Sequence, residues 1–245
     1  MRVSGSTASS IDVAAVRAVA ALEDPTRRAL FAVTRSAKEP VTREQAAAAL
    51  GISRKLAAFH LDKLVDVGLL EADYHAGSRA RVLGRIPKGY RPASIDVSIS
   101  IPERKPAALA ALLIDAVQSV RPGESAREAA NRLSYERGRA AGQSARTAGR
   151  PGRLGAERAL TISEAHLRER GFEPVRISAR CVQLRNCPYQ PLASQATELV
   201  CGLNHRQLTG FLNGLQAHAV EAVSKPRPPQ CCVELHASGA VLDTG

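Results

Sequence analysis

Tryptophan is missing from the 245 residues, aromatic side chains make up 3% of them, and there is a single methionine. So sparse a set of flat rings argues against the stacking platforms on which single strands and RNA are held. Long apolar runs are missing too. Although 44% of the residues are hydrophobic, the longest uninterrupted stretch is AALAALLI at 107–114, far short of the ~20 residues that a bilayer-spanning helix needs. The first ten residues, MRVSGSTASS, carry one arginine and no apolar core, so they lack the pattern of a secretory signal and a cytoplasmic protein is expected. No G-x-S-x-G, H-E-x-x-H, P-loop or G-x-G-x-x-G occurs, and Cys187-Pro188 lacks the second thiol of a C-x-x-C redox pair. These absences argue against an enzyme.

Acidic residues are in short supply: 23 Asp and Glu stand against 34 Lys and Arg, a formal net charge of +11. That balance favours a polyanionic partner, nucleic acid first, over an acidic substrate or a neutral scaffold. A gene whose base composition favours arginine throughout is the bland alternative. Five cysteines in a chain without an export pattern are expected as thiols, for metal binding, redox chemistry or packing, rather than as disulfides.

Ile11, Val13, Val16, Val19 and Leu22 recur at helical spacing behind Ser9 and Ser10, and Asp24-Pro25 opens a second helix that carries Leu30, Phe31 and Val33. The next stretch, PVTREQAAAALGISRKLAAFHLDKLVDVGLLEADY, is the most informative. Thr42 and Gln45 form a capping-box pattern, and an Ala-rich helix runs to Gly51, a residue that tolerates a left-handed exit. Ser53 caps a further helix from Arg54 to about Val67, with Ala57, Leu61 and Leu64 as its inward stripe. Two short helices around a tight glycine turn make a helix-turn-helix. Beyond it, HAGSRARVLGRIPKGYRP places Arg79, Arg81, Arg85, Lys88 and Arg91 among glycines without one acid, as a wing facing phosphates requires.

The remainder is mixed. SIDVSISI at 94–101 alternates without a miss and predicts a strand of a half-buried sheet. Helices are predicted over 105–120, about 124–141 and 155–170, with GQSARTAGRPGRLG as a mobile connection. Two strands end at Cys187-Pro188, a final amphipathic helix carries Leu203, Leu208, Phe211, Leu212 and Leu215, and CCVELH is a strand. The expected fold class is α+β: a winged helix-turn-helix over 1–92, then an α+β effector and dimerisation domain over 93–245.

GISRKLAAFHLDKLVDVGLL resembles the recognition segment of ArsR-type winged-helix regulators. The likeness to the bacterial regulator family that includes the iron–sulfur assembly repressor extends through IDVSISIPERKPAALAALLIDAV, GFEPVR, LRNCPYQPLA, VCGLNH and CCVEL, most of the chain. It implies a DNA-binding repressor, dimeric, with a recognition helix in the major groove. Ser53, Arg54, Lys55, Phe59, His60 and Lys63 are its candidate DNA-facing residues, joined by Arg79, Arg81, Arg85 and Lys88 of the wing. For His60 a hydrogen bond beside the wing is an equal alternative.

The same resemblance implies a cluster at the cysteines, because Cys187 and Cys201, thirteen residues apart, match the spacing of two cluster ligands in that branch. Soft thiolates suit iron–sulfur clusters, zinc or copper. A third ligand falls to Cys231 or Cys232, between which the sequence does not choose. Relatives place a His two residues after Cys-Pro where this chain has Gln190. Cys181, in a strand, reads as a small buried hydrophobe, and His166, His205, His218 and His236 have no diagnostic spacing. Three readings of the cysteines therefore stand: an iron–sulfur cluster, zinc or another metal, and metal-free packing or thiol sensing. The functional alternatives are a metal-free regulator answering a small molecule or thiol oxidation, and an architectural protein using the charge alone.

Overall fold

The computed structural model describes residues 12–74, 88–149, 152, 154–226 and 230–238. It divides into two compact units, Ser10–Ile99 and Ser100–Gly245, each with its own apolar core. The architecture is an N-terminal helix-turn-helix with a small wing sheet, followed by a helical and antiparallel-sheet α+β region that carries the cysteines.

In the first unit, α1 (Val13–Ala21) is capped by Asp12, whose carboxylate accepts the Ala14 N–H at 2.9 Å. Asp24 does the same for α2 (Pro25–Ser36), accepting the Arg27 N–H at 2.8 Å ahead of Pro25, the residue whose missing N–H costs nothing at a first helical position. A two-residue strand β1 (Val41–Thr42) leads into α3 (Arg43–Leu50), where Thr42 and Gln45 exchange both bonds of a capping box. Gly51 then turns the chain with φ +66°, a left-handed conformation that a Cβ would penalise. Ser53 restarts it by accepting the Leu56 N–H at the head of α4 (Arg54–Asp66). Ala57, Leu61 and Leu64 of α4 are completely buried with Leu30 and Ala46. The wing base is β2 (Leu70–Asp73) against β3 (Gly89–Pro92), with β1 on the other side of β3.

The alternation in 94–101 does not give a strand. The segment is extended, but no strand pairing involves it among the described residues. Val97 packs on the first unit's core, whereas Ile101 is 74% exposed. Alternation specifies a face; it does not supply a neighbouring backbone to bond to.

In the second unit come α5 (Pro106–Gln118), α6 (Ala126–Ala148), α7 (Ala156–Glu169), β4 (Pro174–Ser178), β5 (Cys181–Leu184), the short α8 (Leu192–Gln195), α9 (Thr197–Leu215), β6 (Val220–Ser224) and β7 (Val233–Ala237). The four strands form an antiparallel sheet in the order β4-β5-β7-β6. Val182, Leu184, Val233 and Leu235 point from it into a core shared with α7 and α9.

The connection expected from 142 onward is instead helix as far as Ala148, because Gly138 and Gly142 are contact points rather than hinges. A methyl group on either would run into the α9 backbone at Gln207 or Phe211. Gly210 and Gly214 of α9 reciprocate against Tyr135 and Arg139 of α6. Partner residues advance together along both helices, so the two run parallel with their backbones in contact through paired small-xxx-small steps.

Candidate nucleic-acid interface and cysteine cluster

The buried stripe on α4 decides which of its residues face outward. Arg54, Lys55, Phe59 and Lys63 are all exposed, and Lys55, Phe59 and Lys63 follow one another at four-residue steps along one face. Phe59 is 53% exposed, and the Lys63 ammonium lies 6.0 Å from its ring centroid. An uncovered ring flanked by cations can meet a thymine methyl or a sugar while the cations meet phosphates or guanine edges. Ser53 is exposed as well, with its hydroxyl engaged in the helix cap.

Two of the sequence-derived DNA-facing residues sit differently. His60 is only 7% exposed and its Nδ1 is buried without a hydrogen-bond partner, because position 60 falls on the inward stripe beside Ala57, Leu61 and Leu64. It is a core residue of the domain, not a residue offered to a groove. Lys88 donates to Asp62 Oδ1 at 2.6 Å and lies 5.0 Å over the Tyr90 ring. Its charge is engaged in holding the wing base to α4. Arg79, Arg81 and Arg85 lie outside the described residues.

The tie between wing and recognition helix was not read from the sequence. The Tyr90 hydroxyl also donates to Asp62 Oδ1, at 2.9 Å. Burial, reinforced by the Asp62 carboxylate, pushes the Tyr90 phenol up to about 12. Burial alone would raise Asp62, but the hydrogen bonds from Lys88 and Tyr90 outweigh it and hold the carboxyl below its ordinary value. An Asp at position 62 is one more exposed helix residue until β3 is known to cross beside it.

Comparison with known families supports this geometry. Residues 22–72 match a family described as a helix-turn-helix domain. These residues are a helix-turn-helix domain. The matched segment spans α2 to β2 and contains both the Gly51 turn and the exposed face of α4, as in DNA-binding transcriptional regulators. Comparisons with curated proteins and with solved structures give no match. No described helix is long and apolar enough to cross a membrane.

In the second unit the fold brings together the four cysteines singled out as ligands. Cys187 lies in the turn after β5, Cys201 in the first turns of α9, and Cys231 and Cys232 directly before β7. The Cys187 and Cys231 thiols lie close enough to shift one another's titration. The sulfurs of Cys201 and Cys232 are joined as a disulfide with a Cα–Cα distance of 6.0 Å, within the usual span for such a bond. This corrects the expectation of thiols alone. Cys231 and Cys232 meet different partners, Cys187 and Cys201 respectively. Cys187, Cys231 and Cys232 are buried.

Asn204, one turn beyond Cys201 on α9, donates from Nδ2 to Cys231 Sγ at 3.3 Å. The Cys187 thiol is drawn down to about 7, by the bond from Cys231 foremost, against burial, with the backbone N–H groups of Tyr189 and Gln190 and the Arg104 charge assisting. Cys231 is pushed up correspondingly, by Cys187 and by burial. Arg104 is fixed there by its own bond to the Cys187 carbonyl at 2.8 Å.

The four sulfurs come from three chain segments, as two pairs linked by one peptide bond, with the Asn204 N–H aimed at one of them. Cys201 and Cys232, bonded to each other, offer no thiolate to a metal unless that bond is reduced. Gln190 cannot supply thiolate or imidazole; its side chain accepts a bond from Ser194.

A second group escaped the sequence reading altogether. Cys181, Glu234 and His236 converge on the sheet, and their donor atoms could hold a metal ion. Cys181 is half-buried and not the core hydrophobe expected. Positions 181 and 236 are far apart in sequence, and only the β5–β7 register makes them neighbours. Of the other histidines, His166 stacks on Phe211 at 4.0 Å and His205 meets the Ala222 carbonyl at 3.0 Å, while His218 is exposed. A cavity of about 230 Å³ is lined by Leu109, Leu112, Arg137, Arg170, Tyr189 and Gln207 among others. It is smaller than the ~300–1,000 Å³ usual for small-molecule sites.

Proposed function

We propose that this chain is a cytoplasmic transcriptional repressor that binds duplex DNA as a homodimer and senses through its second unit, and that it catalyses no reaction. The observation that carries the DNA-binding half is the face of α4, where Arg54, Lys55, Phe59 and Lys63 are exposed on a helix whose opposite side is locked in the core. Basic residues at the head of a rigid helix can read base edges, whereas a purely architectural binder needs only diffuse charge. For the dimer, α1 carries the exposed stripe Val13, Val16 and Val19, and α5 carries Ile114 and Val117. A second copy is the occupant that a two-fold operator requires.

On this reading Cys187, Cys201, Cys231 and Cys232 hold an iron–sulfur cluster, which would supply a redox-sensitive link between the segments that bear them. The chain's own residues provide thiolates, exclude water and, through Asn204, donate to a sulfur. A sensor of this kind works only if the two states of the thiol set differ in their affinity for DNA-competent protein. A metal-free thiol switch is the second reading, favoured by the Cys201–Cys232 bond itself.

Duplex from the protein's own promoter should bind orders of magnitude more tightly than random duplex at physiological salt, as read by fluorescence anisotropy. Arg54→Ala should cost about 1–3 kcal/mol of that preference if the side chain makes a bidentate base contact. Equal affinities for both duplexes would leave only nonspecific electrostatics. Anaerobic purification should give brown protein containing iron and sulfide, bleached in Cys187→Ser and in Cys201→Ser. Colourless protein whose DNA affinity responds to oxidant would favour the thiol switch, and colourless protein with no such response would remove the sensor.

A further inference from the structure

The sheet face turned away from the core carries the chemistry that the sensing cysteines do not use. Cys181 of β5 lies directly opposite His236 of β7, and Glu234, two residues earlier on β7, shares that face. Cys181 Sγ is 3.4 Å from His236 Nε2 and 3.9 Å from Glu234 Oε2, and Nε2 and Oε2 are 2.8 Å apart. Both contacts of the histidine run through the same ring nitrogen. A proton relay needs the carboxylate on one nitrogen and the thiol on the other, so this is not an activated nucleophile. Three different donor atoms aimed at one point are an arrangement for chelation.

We propose that Cys181, Glu234 and His236 form a binding site for a zinc-class divalent ion, separate from the four-cysteine set. Tetrahedral zinc, with bonds of about 2.3 Å to sulfur and 2.0–2.1 Å to nitrogen or oxygen, holds its ligands about 3.3–3.6 Å apart. The three observed separations bracket that range. Sulfur, imidazole and carboxylate together suit zinc better than calcium or magnesium, which take oxygen alone. Gln183 donates to Glu234 Oε1 at 3.0 Å, which orients the carboxylate as outer-shell partners of metal ligands do.

Lys225 is one competitor for that carboxylate. Its ammonium is 3.3 Å from the same Oε2, on a side chain 41% exposed and able to swing into water. A bound ion would replace that contact, leave a fourth position open and fasten β5 to β7. Removing the lysine should therefore tighten binding, the reverse of what loss of a structural salt bridge would do. The proposal does not depend on the regulator reading.

The test is a cobalt(II) titration of the full-length protein under non-reducing conditions, which leave the Cys201–Cys232 bond intact, repeated in Cys187→Ser. One cobalt per chain should give thiolate-to-metal charge-transfer absorption and the intense visible bands of a four-coordinate ion, displaced by zinc. Cys187→Ser should keep the signal, and Cys181→Ala and His236→Ala should lose it. Gln183→Ala should weaken binding about 10–100-fold, and Lys225→Met should strengthen it. Circular dichroism checks folding, and if Cys181→Ala is unfolded the comparison rests on His236→Ala. The absence of a four-coordinate spectrum, or one that persists without Cys181 and His236, would overturn the site.

Discussion

Asp62 and His166 show how single residues couple this fold to pH. Asp62 joins α4 to the wing through Lys88 and Tyr90, and its carboxyl is held below the ordinary value. A depressed carboxylate stabilises the fold above its unfolded pKa, near 4, and the contribution disappears as pH falls through the lower folded value. Asp62 is half exposed, so water can replace part of what Tyr90 gives it. Tyr90→Phe should accordingly lower stability by about 1 kcal/mol in urea denaturation at pH 7, and a loss below a few tenths would show the tie to be incidental.

His166 is the stronger case. Burial, assisted by the Arg170 charge, depresses it to about 4, its Nε2 is buried without a partner, and its ring is stacked on Phe211. Its unfolded value is near 6.5, so between pH 6.5 and 4 the unfolded chain binds the extra proton and stability falls with pH, by up to about 3 kcal/mol. His166→Phe keeps the stack and removes the titration. Its urea midpoint should be much flatter over that interval than that of the parent, and an identical pH profile would show that His166 is not the group responsible.

At the scale of elements, the parallel α6–α9 pair depends on four glycines whose missing side chains let two backbones touch. Gly142→Ala or Gly210→Ala should destabilise by about 1–3 kcal/mol or more, since a methyl there meets backbone that cannot rotate aside. Gly202, also in α9, has nothing near its would-be Cβ. Gly202→Ala should leave stability unchanged or raise it by up to about 1 kcal/mol through helix propensity. Thermal melts of these variants separate close approach from a general intolerance of substitution in α9. The parallel pairing also carries Cys201 and Asn204 to Cys232 and Cys231, so the same contacts that pack the helix set the geometry around the thiols.

For the molecule as a whole, the predictions concern assembly and charge. Val16→Glu with Val19→Glu on α1 should convert a dimer to a monomer in sedimentation equilibrium and reduce operator affinity without altering the helix content. A parent protein that is monomeric at working concentrations would refute the homodimer. The wing and α4 cations should make log K for DNA fall linearly with log salt, and Lys63→Ala should lower that slope by about 1 if its ammonium meets a phosphate.

The sequence by itself determined what local chemistry can settle. The caps at Asp24, Thr42 and Ser53, the Gly51 turn and the inward stripe of α4 each act within a few residues, so the helix-turn-helix was legible down to its boundaries. The cysteines were legible as thiol chemistry for the same reason, since it travels with the residue, but the group whose donor atoms converge, Cys181 with Glu234 and His236, was not. Tertiary structure decided everything that needed a second segment. Whether 94–101 finds a strand partner, whether Gly142 is a hinge or a contact, which sulfur meets Cys187, and that Cys181, Glu234 and His236 share one point all depend on chain brought from tens of residues away. A pattern along one segment fixes which face is apolar; the identity of what covers that face is set by packing alone.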